Sequence, residues 1–238
     1  MPADDRDLVL ERIRAALHNR VVEGPQMSPA AARSLPLLNA RSWLPAVPAD
    51  RDGMIAMLAE NCRELKADFA LVCSEAEAAD RLGGLRVAER WTRVATHGDG
   101  WIRRAATLPD CELLSTDRPF DMDGLERCDA AVTGCDALIA QTGTVLLTSA
   151  TAGGRAASVL APHHVVLCHS DQIVPDLPAA LQQLEARYSP GLPSVACLVT
   201  GPSRTADIEK TIVYGAHGPR RLTIICVDLP ACICATPL

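Results

Sequence analysis

From residue 51 onward, short apolar runs alternate with longer segments whose apolar positions recur at helical spacing. The helical pattern covers 53–65, 75–82, 99–106, 122–127, 176–187 and 205–214, and Gly83-Gly84 marks the expected end of the second of these. Compact apolar or β-branched runs at 69–73, 93–95, 111–114, 164–168, 195–200 and 222–228 read as strands. Three more strands, 130–134, 137–140 and 144–149, follow one another too closely for intervening helices and predict a local antiparallel or bent element. Elsewhere a helix-length segment separates each strand from the next. That is the signature of βαβ units, so the expected fold class is α/β: a Rossmann-like, mostly parallel sheet with helices on both faces.

Before residue 51 the pattern differs. Leu8, Ile13, Ala16 and Leu17 lie among charges and predict an amphipathic helix over 5–19. Pro25, Pro29, Pro36, Pro45 and Pro48 then exclude regular helix over 22–50 and suggest an arm suited to self-association, with a homodimer as one option. The expected organisation is therefore a helix and proline-rich arm over 1–50, an α/β domain over 51–229 and a tail over 230–238.

Composition narrows the partners. The 238 residues carry a net charge of −6, which lacks the basic footprint of a nucleic-acid or anionic-membrane binder. Three Trp, two Tyr and two Phe are too few for base-stacking platforms. No apolar run approaches the roughly 18–20 residues of a membrane span, and the acidic start Asp4-Asp5-Arg6-Asp7 is unlike a signal peptide, so a cytoplasmic location is expected. Ten cysteines form no C-x-x-C pair and mostly sit in apolar runs, as buried free thiols do. The Cys232-Ile233-Cys234 pair has no histidine nearby, and Pro162-His163-His164 lacks ligand spacing, so no metal is expected. Strand alternation would turn one of those histidines inward and the other to solvent.

Two stretches concentrate chemistry. In the first, Asp136 follows a strand end, and Gln141-Thr142-Gly143-Thr144 places an amide and two hydroxyls beside a glycine that lets backbone approach a ligand. Asp, Thr and Gly are also the residues of ordinary turns. In the second, 195–200 reads as a buried strand of a parallel sheet, and Gly201-Pro202-Ser203-Arg204-Thr205-Ala206-Asp207-Ile208-Glu209 reads as a tight turn opening a helix. Ligands of open α/β sheets gather at such strand ends. Ser203 and Thr205 can cap the helix while Arg204 offers a planar cation to an anion, although Asp207 and Glu209 already complement the helix dipole. Thr205 stands where a G-x-S-x-G elbow needs glycine, which argues against a Ser203 hydrolase. Gly153-Gly154-Arg155 provides a loop arginine, and His217, between Gly215 and Gly218, is the acid/base candidate.

These motifs together, from Thr133 to Thr144, at Pro162-His163-His164, at Asp171-Gln172-Ile173-Val174, at Gly201 to Glu209 and at Gly215-Ala216-His217-Gly218-Pro219, resemble the LUD-domain family and, within it, the branch of the lactate-utilisation C proteins. The resemblance extends over about residues 50 to 229. It implies a fold similar to ribose-5-phosphate isomerase, glucosamine-6-phosphate deaminase and CoA transferases. It also implies a part in oxidising L-lactate to pyruvate alongside iron-sulfur partner proteins. Pro175 and the tail from Pro230 depart from the family pattern, and the chain has no cluster-binding cysteine run.

The expectation is thus a non-iron-sulfur component, without a cofactor of its own, that binds a small anionic metabolite. Asp136, Gln141, Thr142, Gly143 and Thr144 would form one wall and Ser203, Arg204 and Thr205 the other, with His217 and Asp136 as candidate catalytic groups. Two alternatives stay open: a free-standing isomerase or transferase acting on a phosphorylated or CoA-linked metabolite, and an assembly protein without a ligand.

Overall fold

The computed structural model describes residues 44–98, 100–117, 122–206, 212–214 and 218–228. The predicted helix over 5–19, most of the proline-rich arm, the tail over 230–238, and Asp207, Glu209 and His217 lie outside the described residues.

Helix α1 (Arg51–Leu65) starts where the Asp50 side chain accepts from the Gly53 amide at 2.7 Å, and it stops at Lys66 in the left-handed region. Strand β1 (Asp68–Val72) leads into α2 (Glu75–Glu89), capped by Ser74. The chain continues through β2 (Arg93–Thr96), α3 (Gly100–Ala106), β3 (Glu112–Ser115), α4 (Met122–Glu126) and β4 (Ala130–Thr133). Next come β5 (Ala137–Ile139), β6 (Thr144–Thr148), the short helices α5 (Ser149–Ala152) and α6 (Ala157–Leu160), and β7 (His163–His169). After β8 (Ile173–Val174) and α7 (Leu177–Tyr188) follow β9 (Ala196–Val199), β10 (Arg204–Ala206), β11 (Ile212–Tyr214) and β12 (Arg221–Val227).

Six strands form one wholly parallel sheet in the order β1-β12-β7-β4-β2-β3. Its middle strands are apolar on both faces because both faces are covered. On one side Val166, Cys168, Ile224 and Cys226 pack with Ile55, Leu58 and Cys62 of α1; on the other, Val165, Leu167, Ile225 and Val227 pack with Ala78 and Leu82 of α2 and Ala105 of α3. The α/β class with helices on both faces is what the pattern predicts.

The close strands build a second sheet, β8-β5-β6-β9, in which β5–β6 and β6–β9 are antiparallel. Its inner face contributes Leu138, Val145 and Leu147 to the α1 core, and its outer face is covered by Ala180 and Leu184 of α7.

Four expectations are corrected. The run at 195–200 becomes β9, an edge strand with alternating exposure, antiparallel to β6. Residues 204–206 and 212–214 form the antiparallel pair β10–β11 where a helix over 205–214 was expected. Helix α2 runs through Gly83 and Gly84 to Glu89, because a side chain at either position would meet only open space and Ala78 and Leu82 anchor the helix to the core. His163 and His164 are both buried, since β7 is an inner strand covered on both sides. The His163 ring is fully engaged, with Nδ1 2.9 Å from Glu89 Oε2 and Nε2 2.8 Å from Thr223 Oγ1. Burial nevertheless holds its pKa below the usual value, against the raising effect of Glu89.

Candidate functional site

Parallel strands end together, and their C-terminal ends carry whatever the following loops bring. In this sheet β2, β4 and β7 are adjacent in space, and the loops after them open a cavity of about 470 Å³. His97 and Gly98 follow β2, Gly134 and Cys135 follow β4, and His169, Asp171 and Gln172 close β7. Trp101 and Ile102 of α3, Thr151 of α5 and Arg187 of α7 complete most of the wall.

Several of these groups are held in place by their neighbours. The Nδ1 atom of His97 lies 3.1 Å from Thr116 Oγ1 and 3.2 Å from Asp117 Oδ1, so both recorded contacts of the ring are on that nitrogen. Gly153 makes room for the ring: with φ of +66°, a Cβ there would stand 2.5 Å from His97 Nδ1. Asp117 in turn accepts from the Gly98 amide at 2.7 Å and the Ser115 hydroxyl at 2.6 Å and pairs with Arg103 at 3.2 Å. Burial pushes its carboxyl up, but these donors together with His97 outweigh it and leave the pKa below the usual carboxylate value.

Gln172 spends both ends of its amide on the backbone, accepting from His169 N at 2.7 Å and donating to Cys135 O at 2.6 Å. It therefore ties the β7 loop to the β4 loop and is part of the frame. The His169 ring stacks on Trp101, centroids 5.0 Å apart and planes at 26°. Its Nε2 has no hydrogen-bond partner; Glu75 Oε1 lies 3.6 Å away, beyond hydrogen-bonding reach.

Asp136 stands next to this cavity and is buried. Its carboxylate accepts from Tyr188 Oη at 2.6 Å and Thr151 Oγ1 at 2.8 Å, and Arg187 Nη1 is 3.5 Å away. Burial and the Asp136 charge raise the Tyr188 pKa, so the phenol stays protonated as donor. Asp136 thereby positions two residues of the cavity wall, Thr151 and Arg187.

Residues 50–227 match the model of the LUD domain. The chain belongs to the LUD-domain family. It is similar to proteins named lactate utilization protein C from Oceanobacillus iheyensis (34% identity; 43% of this chain, 45% of that one), Deinococcus radiodurans (37%; 49% and 54%) and Shouchella clausii (29%; 76% and 81%). The matched part of this chain thus spans about half the length of the first two relatives. Among solved structures it is similar to a DUF162 family protein from Deinococcus radiodurans, with a TM-score of 0.59, 25% identity and coverage of 76% of this chain and 99% of that one.

Within this LUD domain Gly143 and Arg204, one from each of the two walls read from the sequence, both meet the C-terminal end of α1, whereas Asp136 lies apart beside the cavity. Gly143, with φ of +64°, packs so closely that a Cβ would lie 2.9 Å from Leu65 Cδ1 and 3.0 Å from Asn61 Cβ, while Arg204 Nη2 donates to Leu65 O at 2.6 Å. The Thr144 hydroxyl bridges Thr142 at 2.8 Å and Thr200 at 2.9 Å, and Asn61 Nδ2 donates to Ala140 O at 2.7 Å. Gln141 donates through Nε2 to Pro45 O at 2.8 Å and through its amide to Pro175 O at 3.1 Å. Ser203 N donates to Pro219 O at 2.9 Å, and Thr205 pairs with Val213 across β10–β11. What lies between the two walls is the end of helix α1, whose last carbonyl Arg204 satisfies.

His97, Trp101, His169 and Arg187 carry no motif and were missed by the sequence reading. The available signal was positional: His97 stands two residues past the predicted strand 93–95, and His169 directly follows the predicted strand 164–168. Among the described residues, no group of three or more His, Cys, Asp or Glu side chains is arranged to hold a metal ion. The described cysteines are all free; burial pushes the Cys62 thiol up to about 12 and the Cys128 thiol to about 11, which leaves both unreactive near neutral pH. No helix among the described residues is long and apolar enough to cross a membrane.

Proposed function

We propose that this LUD domain serves a lactate-utilisation system oxidising L-lactate to pyruvate, as a cytoplasmic component that carries no iron-sulfur cluster and works beside partners that do. In this reading it binds a small anionic metabolite in the cavity at the ends of β2, β4 and β7. The observation that carries the ligand site is the convergence there of Arg187, held by buried Asp136, with His97, held by Asp117. A guanidinium and an imidazole fixed from behind on the same cavity wall are suited to grip a carboxylate. The names borne by its relatives support the pathway.

Two experiments test the two halves. Deletion of this chain should abolish growth on L-lactate as carbon source while leaving growth on pyruvate intact; unimpaired growth on lactate rules the pathway out. For the pocket, lactate or pyruvate at 100 times its dissociation constant should stabilise the isolated chain by ~2.7 kcal/mol, seen as a raised melting temperature. Arg187→Ala should remove most of that rise. A wild-type chain indifferent to both acids at tens of millimolar would leave the cavity without the proposed ligand.

A further inference from the structure

The cavity is larger than a three-carbon acid requires. Its 470 Å³ equals the liquid volume of roughly 16 water molecules, and it falls in the range of about 300–1,000 Å³ typical of pockets for ligands well beyond six heavy atoms. Its cationic and ring-bearing groups differ in what they can hold. Gln172 is consumed by the frame, which leaves His97 and Arg187 to hold a carboxylate.

The remaining wall combines the polar Thr151 and Asp171 with a ring-bearing part. Trp101 and His169 stack there, with Ile102 and Leu167 beside them. The chain has only three tryptophans, and Trp91 is buried in the core; Trp101 is half-buried on the cavity wall and also lines a second cleft of about 220 Å³ with Ala76, Ala79 and Ala105. Beside it, His169 Nε2 makes no hydrogen bond and lies 3.6 Å from Glu75 Oε1. A stacked aromatic pair left at the edge of an open space is a surface against which a planar group packs.

We propose that the ligand is an organic acid with two unlike ends: a carboxylate held by His97 and Arg187, and a flat ring or conjugated group packed on Trp101 and His169. Lactate fills only the first half. This inference rests on the proposed carboxylate site and adds the ligand class.

A matched pair of probes separates the two: L-lactate and L-phenyllactate share a head group and differ by one ring. Titration calorimetry on the full chain should show phenyllactate binding at least tenfold tighter than lactate. Trp101→Leu should erase that ratio, and Trp101→Phe should restore part of it. Addition of phenyllactate should also shift one indole N–H resonance of the wild-type chain, which reads the contact without any variant. Equal affinity for the two acids, a ratio that survives Trp101→Leu, or indole resonances that stay still would overturn the ring site. Lactate binding alone would sink this inference and leave the carboxylate site standing, whereas binding of neither acid would sink both.

Discussion

Between pH 7 and pH 4 the folded chain is expected to lose roughly 3 kcal/mol of stability through a single imidazole, that of His164. The side chain is wholly buried on β7; its Nε2 lies 2.9 Å from Thr133 Oγ1, and its Nδ1 has no partner. Burial, helped by the neighbouring His163, lowers its pKa from 6.5 to about 3. The folded pKa is the lower one, so the unfolded chain takes up the proton first. The contribution is therefore intact above about pH 6.5 and drains away as the pH falls toward 3. Carboxylates held in ion pairs lose stability over part of the same range, so the wild-type curve alone does not identify the group. His164→Gln keeps an amide near Thr133 and removes the titration. Urea unfolding at pH 7 and pH 4 should give a pH penalty about 3 kcal/mol smaller in the variant than in the wild type. Equal penalties would mean that His164 does not titrate differently in the folded chain.

The same strand shows what the sequence could and could not reveal. Residues 163–169 are apolar enough to read as a strand, and the helix-length spacers around it identify a parallel sheet, so the fold class and the main helices were legible. Which strands occupy the middle was not, because burial on both faces depends on partners far along the chain: β7 lies between β4 and β12. That is why one of the two histidines was expected at the surface. The run at 195–200 failed for the complementary reason, since four or five apolar residues suit an inner parallel strand and an antiparallel edge equally well. Treating 195–200 as parallel then placed a helix after it, and the β-branched residues Thr205, Ile212 and Val213 instead pair as strands. The site suffered most. Motifs drew attention to Gly143 and Arg204, whereas His97, Trp101 and His169 of the cavity carry no motif and are brought together because β2, β4 and β7 are neighbours.

Gly143→Ala should lower stability by about 3 kcal/mol and the melting temperature by about 10 °C, and its effect on ligand binding should be small. The left-handed φ of +64° costs an alanine roughly 1–2 kcal/mol. The added methyl also meets Leu65 Cδ1 at 2.9 Å, Asn61 Cβ at 3.0 Å and the Asn61 carbonyl carbon at 3.2 Å, an overpacking of order 1–3 kcal/mol. Leu65 can swing away, but the Asn61 backbone belongs to α1, whose Leu58 and Cys62 are fully buried, so the helix cannot retreat without opening the core. Gly83→Ala provides the opposite case. That glycine lies inside α2 facing open space, and alanine there should add about 0.5–1 kcal/mol by restricting the unfolded chain and favouring helix. Thermal melts of the two variants should therefore move in opposite directions. A neutral Gly143→Ala would mean that α1 does not seat on the Gln141–Thr144 turn, and a folded Gly143→Ala that had lost its affinity for carboxylates would move the ligand from the cavity back to that turn.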